Sequence, residues 1–415
     1  MRQNLFGKIA VVIMIIATIV MTAHSYDYDH NLTPASETGV IVSPATLELH
    51  VDDRQTLTAK VTPTDATNKT IIWSSSDPDV ATVDPATGEV TAIATGTATI
   101  TAATTNGKTG SCVLTVAPDV YVAGYDGLTP MLWKNGVVQD STTHLGMHLG
   151  GMAHSVYVSG NDVYVAGNYD NAVLYKNGVK QTFPNADKGV AHSVFVSGTD
   201  VYVAGFNVSG SHKRVAVLWK NGVLQDLTDG TDYAYAHSVF VSGSDVYVAG
   251  EENYKPVLWK NGVKQALSTN VGEASSVFVS DDDVYVAGNY NNASYKSVAA
   301  LWKNGVKQDF TDGTNYAGAS SVFVSGSDVY VAGYEYPDVV LWKNGVKQIL
   351  PATSRSFVKT SSGRGYADVT SIFVSGNDVY VTGVDNDKPV LWKNGVPQIL
   401  TGGRNHPRAN SVFVK

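Results

Sequence analysis

The sequence predicts an all-β protein in two parts, an N-terminal immunoglobulin-like β-sandwich followed by a seven-bladed β-propeller that the C-terminal strand closes. Three observations carry this prediction. Apolar and polar residues alternate with period two in short runs, as in half-buried strands. Gly, Pro, Asp and Asn-Gly punctuate those runs. Three sequence blocks recur seven times each between Asp119 and Lys415. Of the 415 residues, 43% are apolar and 16% are charged, so the chain holds enough core material to exclude wholesale disorder. The net charge of -8 argues against a nucleic-acid partner. A single cysteine excludes an internal disulfide and the paired-cysteine zinc patterns.

Taken in chain order, Arg2 and Lys8 precede an apolar run from Ile9 to Met21. Its length suits a signal-peptide core and falls short of the ~20 residues of a membrane span. Ala23-His24-Ser25 places small residues where signal peptidase reads them, so residues 1–25 are expected to be removed and the protein exported, with no membrane span remaining. Residues 26–38 read as a linker. From 39 to 117, alternation recurs in VIVSPATLELHV, QTLTAKVTP, TIIWSSS, GEVTAIATG and TATITAATT, which is the spacing of a small sandwich with Trp73 in its core. Cys112, within SCVLTV, is expected as a small buried side chain.

The stretch VSPATLELHVDDRQTLTAKVTPTDATNKTIIWSSSDPDVATVD, with GEVTAIATGTATITA and the closing SCVLTV, closely resembles the bacterial immunoglobulin-like domains of group 2. The resemblance covers about a fifth of the chain and implies an exported bacterial protein in which this module is a stalk or spacer. It brings no catalytic residues with it.

Residues 119–415 repeat at a period of about 42. DVYVAG or a near copy begins at Asp119, Asp162, Asp200, Asp245, Asp283, Asp328 and Asp378. LWKNG or its variant ends on an Asn-Gly at Asn135, Asn177, Asn221, Asn261, Asn304, Asn344 and Asn394. SVFVSG or its variant begins at Ser155, Ser193, Ser238, Ser276, Ser321, Ser371 and Ser411. Each unit yields four strands: a (SVFV), b (DVYVAG), c (VLWKN) and d (GVKQ). Asn-Gly between c and d selects a type I′ hairpin, and four-stranded units of this length are propeller blades. The region opens on strand b and ends on strand a, so the last strand completes the first blade and closes the ring. No named propeller family fits the repeats.

The a–b and c–d turns, nearly identical throughout, share one face, here called lower. The b–c and d–a loops vary and share the upper face, where a binding site is expected. Aromatics follow strand b there beside amides or carboxylates: Tyr125, Tyr169, Phe206, Tyr254, Tyr290, Tyr334 and Tyr336. Such rings suit stacking against sugars, and they equally suit simple coverage of the blade tops. Arg355, Arg364, Arg404 and Arg408, with Lys359 and His406, form a candidate cationic sector across two adjoining loops. His154, His192 and His237 occupy the same place in three consecutive blades and are the candidate metal ligands, although no metal or other cofactor is predicted. The Lys of each LWKNG should pair with the Asp opening strand b, as a structural contact.

No nucleophile elbow, zinc-protease helix or phosphate loop appears. The preferred reading is an exported, monomeric, non-enzymatic binding or adhesion protein that recognises a glycan or a protein surface. A carbohydrate-active hydrolase or lyase is the alternative, with upper-face carboxylates among Glu251, Glu252, Glu273, Asp385 and Asp387. A purely structural surface protein is the third.

Overall fold

The computed structural model describes residues 36–139, 151–184, 186, 188–208, 212–351, 368–402 and 406–415. It is all-β among these residues, and the chain divides into two compact units near Val116. The expected signal peptide lies outside the described residues, as does most of the expected linker.

In the first unit, Thr46–His50, Thr109–Ala117, Gly96–Thr104 and Ile71–Ser75 form one sheet in that order. Arg54–Thr56, Glu89–Ala92 and Ala81–Val83 form a second, and Gly39–Ser43 pairs with Thr58–Thr62. The period-two pattern fills the interior with Val90, Ile100, Cys112 and Leu114, each fully buried, and with Trp73. Burial pushes the Cys112 thiol up, which keeps it protonated and inert.

The second unit is seven four-stranded antiparallel sheets, each in the order a-b-c-d. In the first of them strand a is Arg408–Val414, paired antiparallel with Val120–Asp126. Asp119 and Lys415 exchange two further backbone hydrogen bonds of 2.9 Å at the end of that pairing. The propeller is therefore closed by Arg408–Val414, with seven blades.

Two seven-fold circuits tie the innermost strands together. Tyr157, Phe195, Phe240, Phe278, Phe323, Phe373 and Phe413 form a closed ring about the axis, with neighbouring ring centroids 4.7–5.0 Å apart. Ser411, Ser155, Ser193, Ser238, Ser276, Ser321 and Ser371 each accept, through Oγ, a backbone N–H of the next blade at 3.2–3.3 Å. The tryptophans of LWKNG are buried between blades, and Tyr175 takes that place in blade 2.

On the lower face each Asn-Gly has positive φ at both residues, as a type I′ turn requires. The seven expected Lys–Asp pairs form at 2.6–2.9 Å. They belong to a larger cluster, since the turn Asn also donates to the same Asp and accepts, at 2.8 Å, the N–H of the Val that follows this Asp. Asp281, in place of glycine, adopts φ 52° in its a–b turn.

Candidate functional site

The upper mouth of the propeller is built by one recurrent irregularity. Strand a gains one extra residue against strand b in every blade, a bulge that falls on His154, His192, His237, Ser275, Ser320, Thr370 and Asn410. Opposite it stands the glycine that ends each strand-b motif. A Cβ on Gly124, Gly167, Gly205, Gly250, Gly288, Gly333 or Gly383 would lie 1.9–2.1 Å from a strand-a carbonyl oxygen, so only glycine admits the bulge. The bulge residues reach across to the neighbouring blade: Asn410 donates to the Ala153 carbonyl at 2.8 Å and Thr370 to the Ala409 carbonyl at 2.7 Å.

Blades 2 to 4 carry histidine at this position, and their rings meet. His154 and His192 lie 5.6 Å apart edge-on, and His192 and His237 lie 5.4 Å apart stacked. Tyr235 continues the row, stacked 5.9 Å from His237, and its hydroxyl accepts from Arg214. The three imidazoles thus meet ring to ring along adjacent blades, and their nitrogens do not converge within 4.8 Å of one another. His154 shares a 2.9 Å hydrogen bond with Asn168, and His192 Nδ1 lies 3.1 Å from the Ala236 carbonyl. Burial holds both below the usual histidine range, His192 well below it, with neighbouring His237, His154 and Arg214 adding to the effect at His192.

His237 is different. Its Nε2 is enclosed and has no hydrogen-bond partner, and it lies 3.9 Å from Glu251 Oε1. Ligand atoms of His237, Glu251 and Glu273 all lie within 4.8 Å of one another, the only such group among the described residues. Glu251 sits on strand b beside Tyr235, and Glu273 opens the next strand a, where Asn289 donates to its Oε1 at 3.2 Å. Tyr334 stands nearby: burial, and then the charges of Asp368 and Glu273, push its hydroxyl pKa up. The other candidate carboxylates are spent elsewhere. Glu252 pairs with Lys264, Asp385 is buried and bonded to Asn386, and exposed Asp387 lies 3.4 Å from His406.

The seven aromatics expected to form a platform divide. Phe206 and Tyr290 are buried. Arg214, His192 and Tyr235 surround Phe206, while Lys307 lies over the Tyr290 ring at 3.6 Å and Asp309 accepts its hydroxyl at 2.9 Å. Tyr169, half-buried, lies under Lys180 at 4.5 Å, and Tyr125 and Tyr334 are also half-buried. Phe206, Tyr290 and Tyr169 cover blade tops with basic side chains from strands c and d lying across them. Tyr254 and Tyr336 are open, at 54% and 60% exposure. Three further exposed rings escaped the pattern: Tyr233, Tyr295 and Tyr316. The first and last sit in matching loops, DGTDY and DGTNY, in which Asp229 and Asp312 each accept the N–H and hydroxyl of the following Thr231 or Thr314 at 2.7–2.9 Å. That repeated DGT turn was the available signal.

Of the expected cationic sector, Arg408 pairs with Asp368 and is not a free charge. Arg355, Arg364, Arg404 and Lys359 lie outside the described residues.

The molecule is thus a closed seven-bladed propeller, with a polar mouth on its upper face, joined in sequence to a sandwich. Residues 37–116 match the bacterial Ig-like domain (group 2), and this part of the chain is such a domain. An Ig-like virion protein of Serratia phage KSP90 is 48% identical over 81 residues, 19% of this chain and 31% of that protein. Lacto-N-biosidase of Bifidobacterium bifidum is 44% identical over 97 residues, 23% of this chain and 8% of that enzyme. The match spans less than a third of the length of either relative. Among solved structures, the β-propeller domain of the Trilobed protease from Pyrococcus furiosus aligns with 82% of this chain and 98% of its own, at 10% identity and a TM-score of 0.40.

Proposed function

We propose that the protein is an exported, non-enzymatic binding protein whose propeller recognises a glycan through its upper-face loops, with the Ig-like domain as spacer. One observation carries the reading. All five exposed aromatic side chains among the described residues, Tyr233, Tyr254, Tyr295, Tyr316 and Tyr336, lie on loops of the upper face. They gather on blades 3 to 6, beside Asn253, Asn292 and Asn315. Flat rings offer stacking surface to pyranose faces, and the amides offer hydrogen bonds to hydroxyls. The Ig-like domain is shared with a virion protein and a glycosidase, which supports a module that carries another domain rather than one that acts itself.

The test is a glycan array probed with the protein from Tyr26 onward. Tyr254→Ala and Tyr336→Ala are each expected to weaken binding about three- to ten-fold with the melting temperature unchanged, since each ring is worth about 0.5–1.5 kcal/mol in stacking. Unaltered binding in both variants removes the platform.

A second reading, glycoside cleavage, rests on Glu251 and Glu273, whose carboxylates approach within 4.8 Å. A retaining pair is separated by about 5–5.5 Å. Release of shortened products that Glu251→Gln abolishes would establish it over binding alone.

A further inference from the structure

We propose that His237, Glu251 and Glu273 bind one divalent transition-metal cation, with zinc the best match, at the upper mouth between blades 4 and 5. Two separate features point there. The first is the donor set: one imidazole nitrogen and two carboxylates from three different strands, with all their ligand atoms within 4.8 Å. The second is the enclosed His237 Nε2, which has no hydrogen-bond partner although a donor or acceptor costs free energy when left so. Protein and cation would satisfy it together.

The surroundings are those of a held ligand set. His237 is fixed by stacking between Tyr235 and His192, at 5.9 and 5.4 Å. Glu273 is fixed by the Asn289 amide at 3.2 Å, a contact that orients a carboxylate while leaving its other oxygen available. Among the described residues no lysine or arginine forms an ion pair with Glu251 or Glu273, so neither carboxylate is taken up by a basic side chain.

The geometry requires little movement. Zinc bonds of about 2.0–2.2 Å place tetrahedral donors roughly 3.4 Å apart. His237 Nε2 and Glu251 Oε1 already stand at 3.9 Å, so a small rotation of the glutamate closes the difference. Imidazole favours zinc over calcium or magnesium, and two carboxylates keep manganese in competition. Three protein ligands leave a fourth position, toward the mouth, for water or an oxygen of a bound molecule.

This inference does not depend on the glycan reading, and its test needs no sugar. The full chain, without an affinity tag, is stripped with EDTA, dialysed, and titrated with zinc chloride by calorimetry, with manganese and calcium chlorides in parallel. One equivalent of zinc is expected to bind, more tightly than calcium, and to raise the melting temperature. Glu251→Gln and Glu273→Gln, near-isosteric changes, are expected to weaken it at least ten-fold, and His237→Ala likewise, whereas His406→Ala leaves it intact. A cobalt absorption spectrum characteristic of four-coordination, lost in Glu273→Gln, gives a second readout. Failure to take up zinc overturns the proposal, as does uptake that the two glutamine variants leave unchanged. Zinc binding without any glycan binding leaves the metal site standing and removes the glycan reading.

Discussion

At the scale of single residues, the glycine ending each strand b decides the shape of the mouth. Gly288→Ala would put a methyl group 2.1 Å from the Glu273 carbonyl oxygen, so the bulge must open or the strand must move. The expected loss is about 2–3 kcal/mol in urea unfolding, the upper range for overpacking. Gly160 has φ 56° and nothing within 4 Å of a new Cβ, so Gly160→Ala should lose only the roughly 1 kcal/mol of a left-handed alanine. His154 sets a second residue-level expectation. Burial lowers its pKa, with Arg408 opposing its protonation and Asn168 favouring it. The unfolded chain therefore binds a proton that the folded chain resists, so stability is full above about pH 6.5 and falls as the solution is acidified below it. Thermal melts from pH 8 to 5 should show that decline, and His154→Gln should make it shallower, leaving the part that buried His192 contributes.

At the scale of the strand and the turn, what was legible in the sequence was what is local. Asn-Gly gives a type I′ hairpin because both residues accept positive φ, and all seven turns obey. The Lys–Asp pair follows from cross-strand register alone. The bulge was not legible: its cause is a glycine one strand away, and no property of His237 or Ser275 in isolation shows it. The fate of the aromatics was hidden for the same reason. Tyr290 and Tyr254 have similar sequence neighbours, yet Lys307 from strand d covers one, while the other projects from a turn with φ 58°. The serine opening each strand a reads as a polar residue in an apolar strand, and the structure makes it the latch between blades. Ser238→Ala leaves the Val277 N–H without its acceptor and should lower stability by about 1–3 kcal/mol. A smaller loss in denaturant titration would mean that water takes the serine's place. The Lys260–Asp245 ion pair, by contrast, is open to solvent and salt, and Lys260→Ala, which leaves the Asp245–Asn261 bond in place, should change little.

At the scale of the whole molecule, ring closure rests on seven residues, Arg408–Val414. Arg408–Val414 completes a four-stranded sheet, supplies Phe413 to the axial ring of aromatics, and supplies Ser411 to the latch with Val156. A protein ending at residue 407 would lose all three and leave Val120–Asp126 as an unprotected edge. It should melt earlier and self-associate in sedimentation, and a peptide of residues 408–415 added in trans should restore the monomer. Indifference to the truncation would show that inter-blade packing alone holds the ring.

The same pairing joins Val120 to Val414. Strand b of the first blade is thus made long before its partner exists. At ribosomal rates of about 5–20 residues per second the interval is roughly 15–60 s. For that time the nascent chain carries an apolar strand paired on one edge only, and the ring can close only once synthesis has passed residue 414. Until then the open edge of Val120–Asp126 is the place where another chain can pair in error.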